Sequence, residues 1–208
     1  MNHFLLIEYE NVSNFRDDTL SSFSDEWCDR ILDINRKKES LLARLLLDKI
    51  CLKVLGKKIS EAELRKTNLG MPYLRNYPDL KISISHSHGH VWVAASNCPI
   101  GIDFEKIDIH FKNDLKEAFN KNDWDSVSED YKEIFKYFSL KESYSKMTGT
   151  GFTENPAEIR LIDLNKNIFF KFFKNKSSSF ILTLISKDFE PNNVVNFSFL
   201  EKIDTIFN

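Results

Sequence analysis

Hydrophobic positions along the chain change their period several times, and each change marks an element. Residues 3–9 carry a short apolar run that predicts a first strand. Over residues 24–55 the period becomes helical, with a break near Asn35. Leu41, Leu42, Leu45, Leu46, Lys49 and Leu52 keep helical spacing, and Gly56 is placed as the C-terminal cap. Residues 60–63 have the form of a capping box before a short helical turn. Residues 67–73, with Asn68, Gly70 and Pro72, read as a loop. Residues 81–85, 91–95 and 99–106 then predict short strands in a β-meander. Residues 108–119 and 129–147 predict amphipathic helices, the second ended by Gly149 and Gly151. Three further strands are expected at residues 168–173, 180–185 and 194–200. Helices followed by strands occur twice, which suggests a duplication, although no residue-level repeat supports it.

The stretch Pro99 to Lys106 carries the first candidate chemistry. Ile100, Ile102 and Phe104 alternate with Gly101, Asp103 and Glu105, the pattern of a half-buried strand. Side chains two apart share a face, which puts Asp103 and Glu105 about 6.6 Å apart along it. Carboxylates that close repel unless a cation, a proton or a basic side chain lies between them. Hard oxygen donors of this kind suit Mg²⁺ completed by water and phosphate; an ordinary solvated strand face accounts for them equally. On the helix at 129–147, Glu142 shares an apolar stripe with Tyr131, Phe135, Phe138 and Lys146. A carboxylate there is costly unless it is paired or ligates a metal. An i,i+4 pair with Lys146 is the plainer explanation. His86 fits a hydrogen-bonded structural role, or, alternating with His88 and His90, one edge of a transition-metal site. Arg44 fits a guanidinium whose stem packs along its helix.

Composition narrows the classes. At 208 residues the chain can bury a sizeable core as one large domain or two small lobes, and 42% hydrophobic with 29% charged residues is ordinary for a soluble globular protein. A net charge of −2 gives no global basic field for nucleic acid or an anionic membrane. Cys28, Cys51 and Cys98 are few and widely spaced, against a disulfide framework or a thiolate zinc site. With neither a signal peptide nor an apolar run of membrane-spanning length in view, a cytoplasmic location is expected.

The order of the motifs is more specific than any one of them. Gly70-Met71-Pro72, Ser85-His86-Ser87, Gly101-Ile102-Asp103-Phe104-Glu105 and Phe138-Ser139-Leu140-Lys141-Glu142-Ser143-Tyr144-Ser145-Lys146 follow one another. This series resembles the 4′-phosphopantetheinyl transferases of the Sfp type, whose pattern runs G-K-P, S-H-S, G-[IV]-D-[IVL]-E and W-x-x-K-E-[AS]-x-x-K. Met71 departs from the family Lys and Phe138 from its Trp. The resemblance implies an α+β fold, a pseudo-twofold duplication of two similar halves (1–98 and 99–208) with the active site in the cleft between them. It implies Mg²⁺ on Asp103, Glu105 and Glu142, with coenzyme A as co-substrate and an acyl, peptidyl or aryl carrier protein as acceptor. By the same carry-over Glu142 is the base, Lys146 stabilises the pyrophosphate, and His86 and Ser85 line the phosphate site. Arg44 takes the 3′-phosphate, and Lys141 is an auxiliary phosphate contact. A monomer would suffice. A non-catalytic coenzyme A or carrier-binding module on the same fold, and a histidine-centred metallohydrolase, are the competing readings.

Overall fold

The computed structural model describes residues 4–14, 28, 30–57, 63–151, 155–160, 168–174 and 179–188. The expected strand at 194–200 and most of the expected capping box at 60–63 lie outside them.

Strand β1 (Leu5–Asn11) is followed by the long helix α1 (Ile34–Leu55). The helix begins at Asp33, whose side chain accepts from the Arg36 N–H, and ends at Gly56 with φ 71°. The break expected near Asn35 is therefore the start of the helix. The loop expected at 67–73 is a small hairpin, β2 (Leu64–Lys66) against β3 (Pro72–Leu74), turned at Gly70. Strands β4 (Lys81–Ser87) and β5 (His90–Ser96) pair antiparallel, and β5 also pairs with β1.

The expected meander breaks at Pro99. Strand β6 (Ile100–Lys106) pairs with β8 (Phe180–Lys187), not with β5, and β8 pairs with β7 (Ile168–Lys174). Between them, the helix expected at 108–119 is replaced by two 3₁₀ turns, Ile109–Phe111 and Asp114–Ala118. Asp108 accepts there from the His110 N–H, a local side-chain bond of the kind that competes with helical ones and keeps such segments short. The helices α2 (Lys121–Val127) and α3 (Tyr131–Thr148) follow.

Two three-stranded sheets result, in the orders β1-β5-β4 and β6-β8-β7. Each places its first strand beside its last, with a helix between first and second, so the mixed α+β architecture repeats itself. Helix α1 packs on the first sheet through Leu42, Leu46, Leu47 and Ile50 against Val91, Val93 and Ala95. Helix α3 packs on the second through Leu140 against Ile185. A third cluster fuses the sheets: Tyr9 packs on Trp92 and Trp92 on Phe104, which stacks with the partly buried Phe180, and fully burying such a ring is worth about 1.5–3 kcal/mol. None of the three cysteines forms a disulfide. No helix among the described residues is long and apolar enough to cross a membrane.

Candidate functional site

The site forms where β4 and β6 run side by side at the facing edges of the two sheets. The outward N–H groups of β6 lack a strand partner there, and alternate serines of β4 supply one: Ser83 Oγ accepts from Ile102 N at 3.0 Å and Ser85 Oγ from Phe104 N at 3.0 Å. An orphan edge N–H would be expensive, so these hydroxyls fix the register of the two sheets. The same Ser85 Oγ donates to Asp103 Oδ1 at 3.2 Å.

Helix α3 comes down on β6 at Gly101. A Cβ there would lie 1.8 Å from the Ser143 carbonyl oxygen, so only glycine permits this approach. Ser139 Oγ donates to Thr183 Oγ1 at 2.8 Å and Ser143 Oγ to the Thr183 carbonyl at 3.3 Å, pinning the helix to β8. These contacts bring Glu142 and Lys146 over Asp103 and Glu105.

Asp103 is 2% exposed, so the strand is not the half-solvated one expected from its alternation. Lys146 Nζ donates to Asp103 Oδ1 at 2.5 Å and to Ser85 Oγ at 3.2 Å, and Asp103 Oδ2 is buried with no hydrogen-bond partner. The plain Glu142–Lys146 helix pair gives way to this cross-element contact. Burial, then the Asp103 and Glu142 charges, pushes Glu105 up to about 8 against the pull of Lys146. Burial and Asp103 push Glu142 up to about 7, again opposed by Lys146. Burial works against the Lys146 charge, but the fields of Asp103, Glu142 and Glu105 outweigh it and raise its pKa. Among the described residues no three His, Cys, Asp or Glu side chains are already gathered as a closed metal-ligand set. What the site presents is Asp103 paired with Lys146, Glu105 and Glu142 close enough to feel both charges, and a buried oxygen left over. Hard donors, an orphaned Asp103 Oδ2 and surplus negative charge suit a small divalent cation such as Mg²⁺.

Arg44 and His86 lie in the first half. They line a cleft of about 220 Å³ with Lys66, Gly70, Pro72 and Ile84. Arg44 pairs with Asp48 at 3.4 Å, and His86 Nδ1 lies 2.8 Å from Glu39 Oε2. Lys66 was not singled out from the sequence; its register opposite Pro72 in the hairpin, beside the glycine turn, is the signal that could have found it. A second cleft of about 260 Å³, lined by Met71, Ile84, Glu142, Lys146 and Gly149, adjoins the carboxylates.

Lys141 corrects an expectation. It is fully buried, and its ammonium donates to the Ala118 carbonyl (3.1 Å), Asp123 Oδ2 (3.2 Å) and the Pro156 carbonyl (3.2 Å). All three donors are spent, so Lys141 clamps the Asp114–Ala118 turn and α2 onto α3 and offers nothing to a phosphate. The three histidines also diverge: His86 meets Glu39, His88 Nδ1 meets Ser87 Oγ, and His90 Nδ1 meets the Tyr9 hydroxyl.

With this geometry in hand, similarity to known proteins is informative. A family model described as 4′-phosphopantetheinyl transferase, N-terminal, matches residues 17–98, and one described as the 4′-phosphopantetheinyl transferase superfamily matches residues 99–195. The chain is 29% identical over 146 residues to the 4′-phosphopantetheinyl transferase gsp of Aneurinibacillus migulanus, covering 68% of this chain and 61% of that protein. A 4′-phosphopantetheinyl transferase of Bacillus subtilis is 25% identical over 137 residues, covering 64% of this chain and 61% of its own length. Another from Bacillus subtilis, ffp, is 30% identical over 125 residues, covering 55% of each. The matched region thus spans about three fifths of the length of the first two relatives.

Proposed function

Because the chain belongs to the 4′-phosphopantetheinyl transferase superfamily, we propose that it moves the 4′-phosphopantetheine group of coenzyme A onto a serine of an acyl, peptidyl or aryl carrier protein. The observation that carries this reading is the buried Asp103, with one oxygen on Lys146 and Ser85 and the other unpartnered, beside two further carboxylates. Asp103, Glu105 and Glu142 would hold Mg²⁺, which supplies charge neutralisation on the diphosphate when bound.

The chain's own groups then divide the work. Arg44 and His86 bind phosphate in the first cleft, the guanidinium as a fork suited to the 3′-phosphate. Lys146 leaves Asp103 for the pyrophosphate oxygens and neutralises charge on the leaving phosphate. Ser85 keeps Asp103 oriented, and Glu142, directly or through a water, accepts the carrier serine proton. The serine oxygen bonds to the phosphorus bearing the pantetheine arm as the bond to adenosine 3′,5′-bisphosphate breaks, the electron pair leaving with that product. Two fused halves make a monomer sufficient.

Incubation with coenzyme A, Mg²⁺ and a panel of apo carrier proteins tests the reading, each carrier being weighed by mass spectrometry. One carrier at least should gain the phosphopantetheine mass. Saturable binding of coenzyme A with no mass gain on any carrier would instead favour the non-catalytic binding module, the role to which the Met71 departure points.

A further inference from the structure

Ser85 and His86 are neighbours on β4, and strand alternation sends their side chains to opposite faces. Ser85 joins Asp103, while His86 turns to α1 and meets Glu39. Glu39 is only 6% exposed, and both of its oxygens are engaged: Oε2 with His86 Nδ1 at 2.8 Å and Oε1 with the Gly89 N–H at 2.6 Å. His88 (φ 53°) and Gly89 (φ 80°) form the tight turn between β4 and β5, so one carboxylate ties turn and ring into a single frame. Burial works against the Glu39 charge, but hydrogen bonds from His86 and Gly89 outweigh it and hold its pKa below the usual carboxylate value. His86 Nε2 makes no hydrogen bond among the described residues, and the ring lines the cleft that also holds Arg44 and Lys66.

We propose that Glu39 is a positioning residue for His86: it keeps the ring proton on Nδ1 and so presents Nε2 to a phosphate bound in that cleft. The proposal rests on the transferase reading, which places a phosphate there. An ionised carboxylate only accepts hydrogen bonds, so Nδ1 must donate and Nε2 carries the lone pair. A phosphate that arrives as its monoanion gives its proton to Nε2, which leaves the ring charged between two anions, and charge-assisted bonds are about twice as strong as neutral ones.

Glu39→Gln separates this role from a merely structural one. The glutamine keeps the shape, its amide oxygen can take the Gly89 N–H, and its amide N–H then donates to Nδ1, moving the ring proton to Nε2. Imidazole ¹⁵N spectra above neutrality should show His86 protonated at Nδ1 in the unaltered protein and at Nε2 in the variant. Affinity for adenosine 3′,5′-bisphosphate should fall about tenfold in Glu39→Gln, roughly the loss of one charge-assisted bond. It should fall no further when Glu39→Gln is added to His86→Ala. An Nε2–H tautomer in the unaltered protein would overturn the proposal, and so would an unchanged tautomer in the variant or a loss that persists in the His86→Ala background. If the unaltered protein ignores the bisphosphate, the transferase reading fails, while the ¹⁵N pattern alone still decides the role of Glu39.

Discussion

On β1, Glu8 stands opposite Val93; on β6, Asp103 stands opposite Thr183, each three residues after its strand begins. Glu10 and Glu105 follow two residues later. Each sheet is crossed by a helix ending at a left-handed glycine, Gly56 or Gly149, and three residues before that glycine lies a lysine, Lys53 or Lys146, bonded to the strand carboxylate. One turn earlier the halves part: the first has Lys49, 2.6 Å from Glu8 Oε2, and the second has Glu142. The first half therefore sets two ammoniums on the one buried carboxylate of Glu8, while Glu10 accepts from Asn11 and Asn14. The second sets one ammonium among three carboxyl groups, and Glu105 and Glu142 hold their protons to about 8 and about 7 because that one charge does not offset burial and repulsion. A single exchange of sign at one helix position distinguishes an ion pair that stabilises the fold from the cluster proposed to hold a divalent cation.

Removing the unmatched carboxylates should have the largest effect. Asp103→Ala or Glu142→Ala should lower carrier modification by about a thousandfold or more, the scale on which preorganised charge acts, with the circular dichroism spectrum unchanged. Near-normal turnover in either variant would sink the metal assignment.

Packing supplies the next test. Leu6 on β1 occupies the place of Gly101 on β6, so the first half tolerates a side chain where the second cannot. Gly101→Ala should destabilise by about 1–3 kcal/mol, the usual cost of overpacking, read as a drop in Tm of roughly 2–10 °C for a chain of this size. An unshifted Tm would mean that α3 does not approach β6 this closely.

The halves should also respond oppositely to pH. Glu8 is pulled down by Lys49 and Lys53 although burial opposes them, so its pairing stabilises the fold above the unfolded carboxylate value and is lost as acid protonates it. Glu105 and Glu142 are raised to about 8 and about 7, so the folded state holds their protons more tightly than the unfolded one. Their contribution is therefore present below about pH 4.5 and is lost as pH climbs through those values. Urea unfolding of the metal-free protein should show stability falling between pH 5.5 and 8.5 (on the order of the range in which these groups titrate), and the Glu105→Gln/Glu142→Gln double variant should flatten that slope. A slope unchanged by the double variant would refute the coupling.

The smallest effect is the most diagnostic. Lys49→Glu gives the first half the charges of the second. Because Lys49 is half exposed, its removal should cost no more than about 1 kcal/mol, but it should add a second weak Mn²⁺ site, countable by electron paramagnetic resonance. Unchanged stoichiometry would show that charge sign alone does not make the site.

Much of this was visible in the linear chain. The alternation around Asp103, the apolar stripe carrying Glu142 and the glycine caps at Gly56 and Gly149 are local patterns, and the ordered motifs pointed to the superfamily. Even the repeat was there to be read in Leu5-Leu6-Ile7-Glu8-Tyr9-Glu10 beside Ile100-Gly101-Ile102-Asp103-Phe104-Glu105. A search for identical residues misses it, because residue class recurs rather than identity. Lys141 shows the opposite case: its motif suggests phosphate, yet a carboxylate and two carbonyls from distant segments enclose it.

Most of the elements and the residue types at the site are legible in the chain alone, because period, caps and carboxylate spacing depend on neighbours a few residues away; the hairpin at 64–74 and the 3₁₀ turns at 109–118 are not. Long-range packing settles which sheet β6 joins, that Ser85 and Lys146 share Asp103, that Glu39 grips His86, and that Lys141 faces inward. Those outcomes depend on which buried polar groups find partners across tens of residues, and no local pattern encodes that pairing.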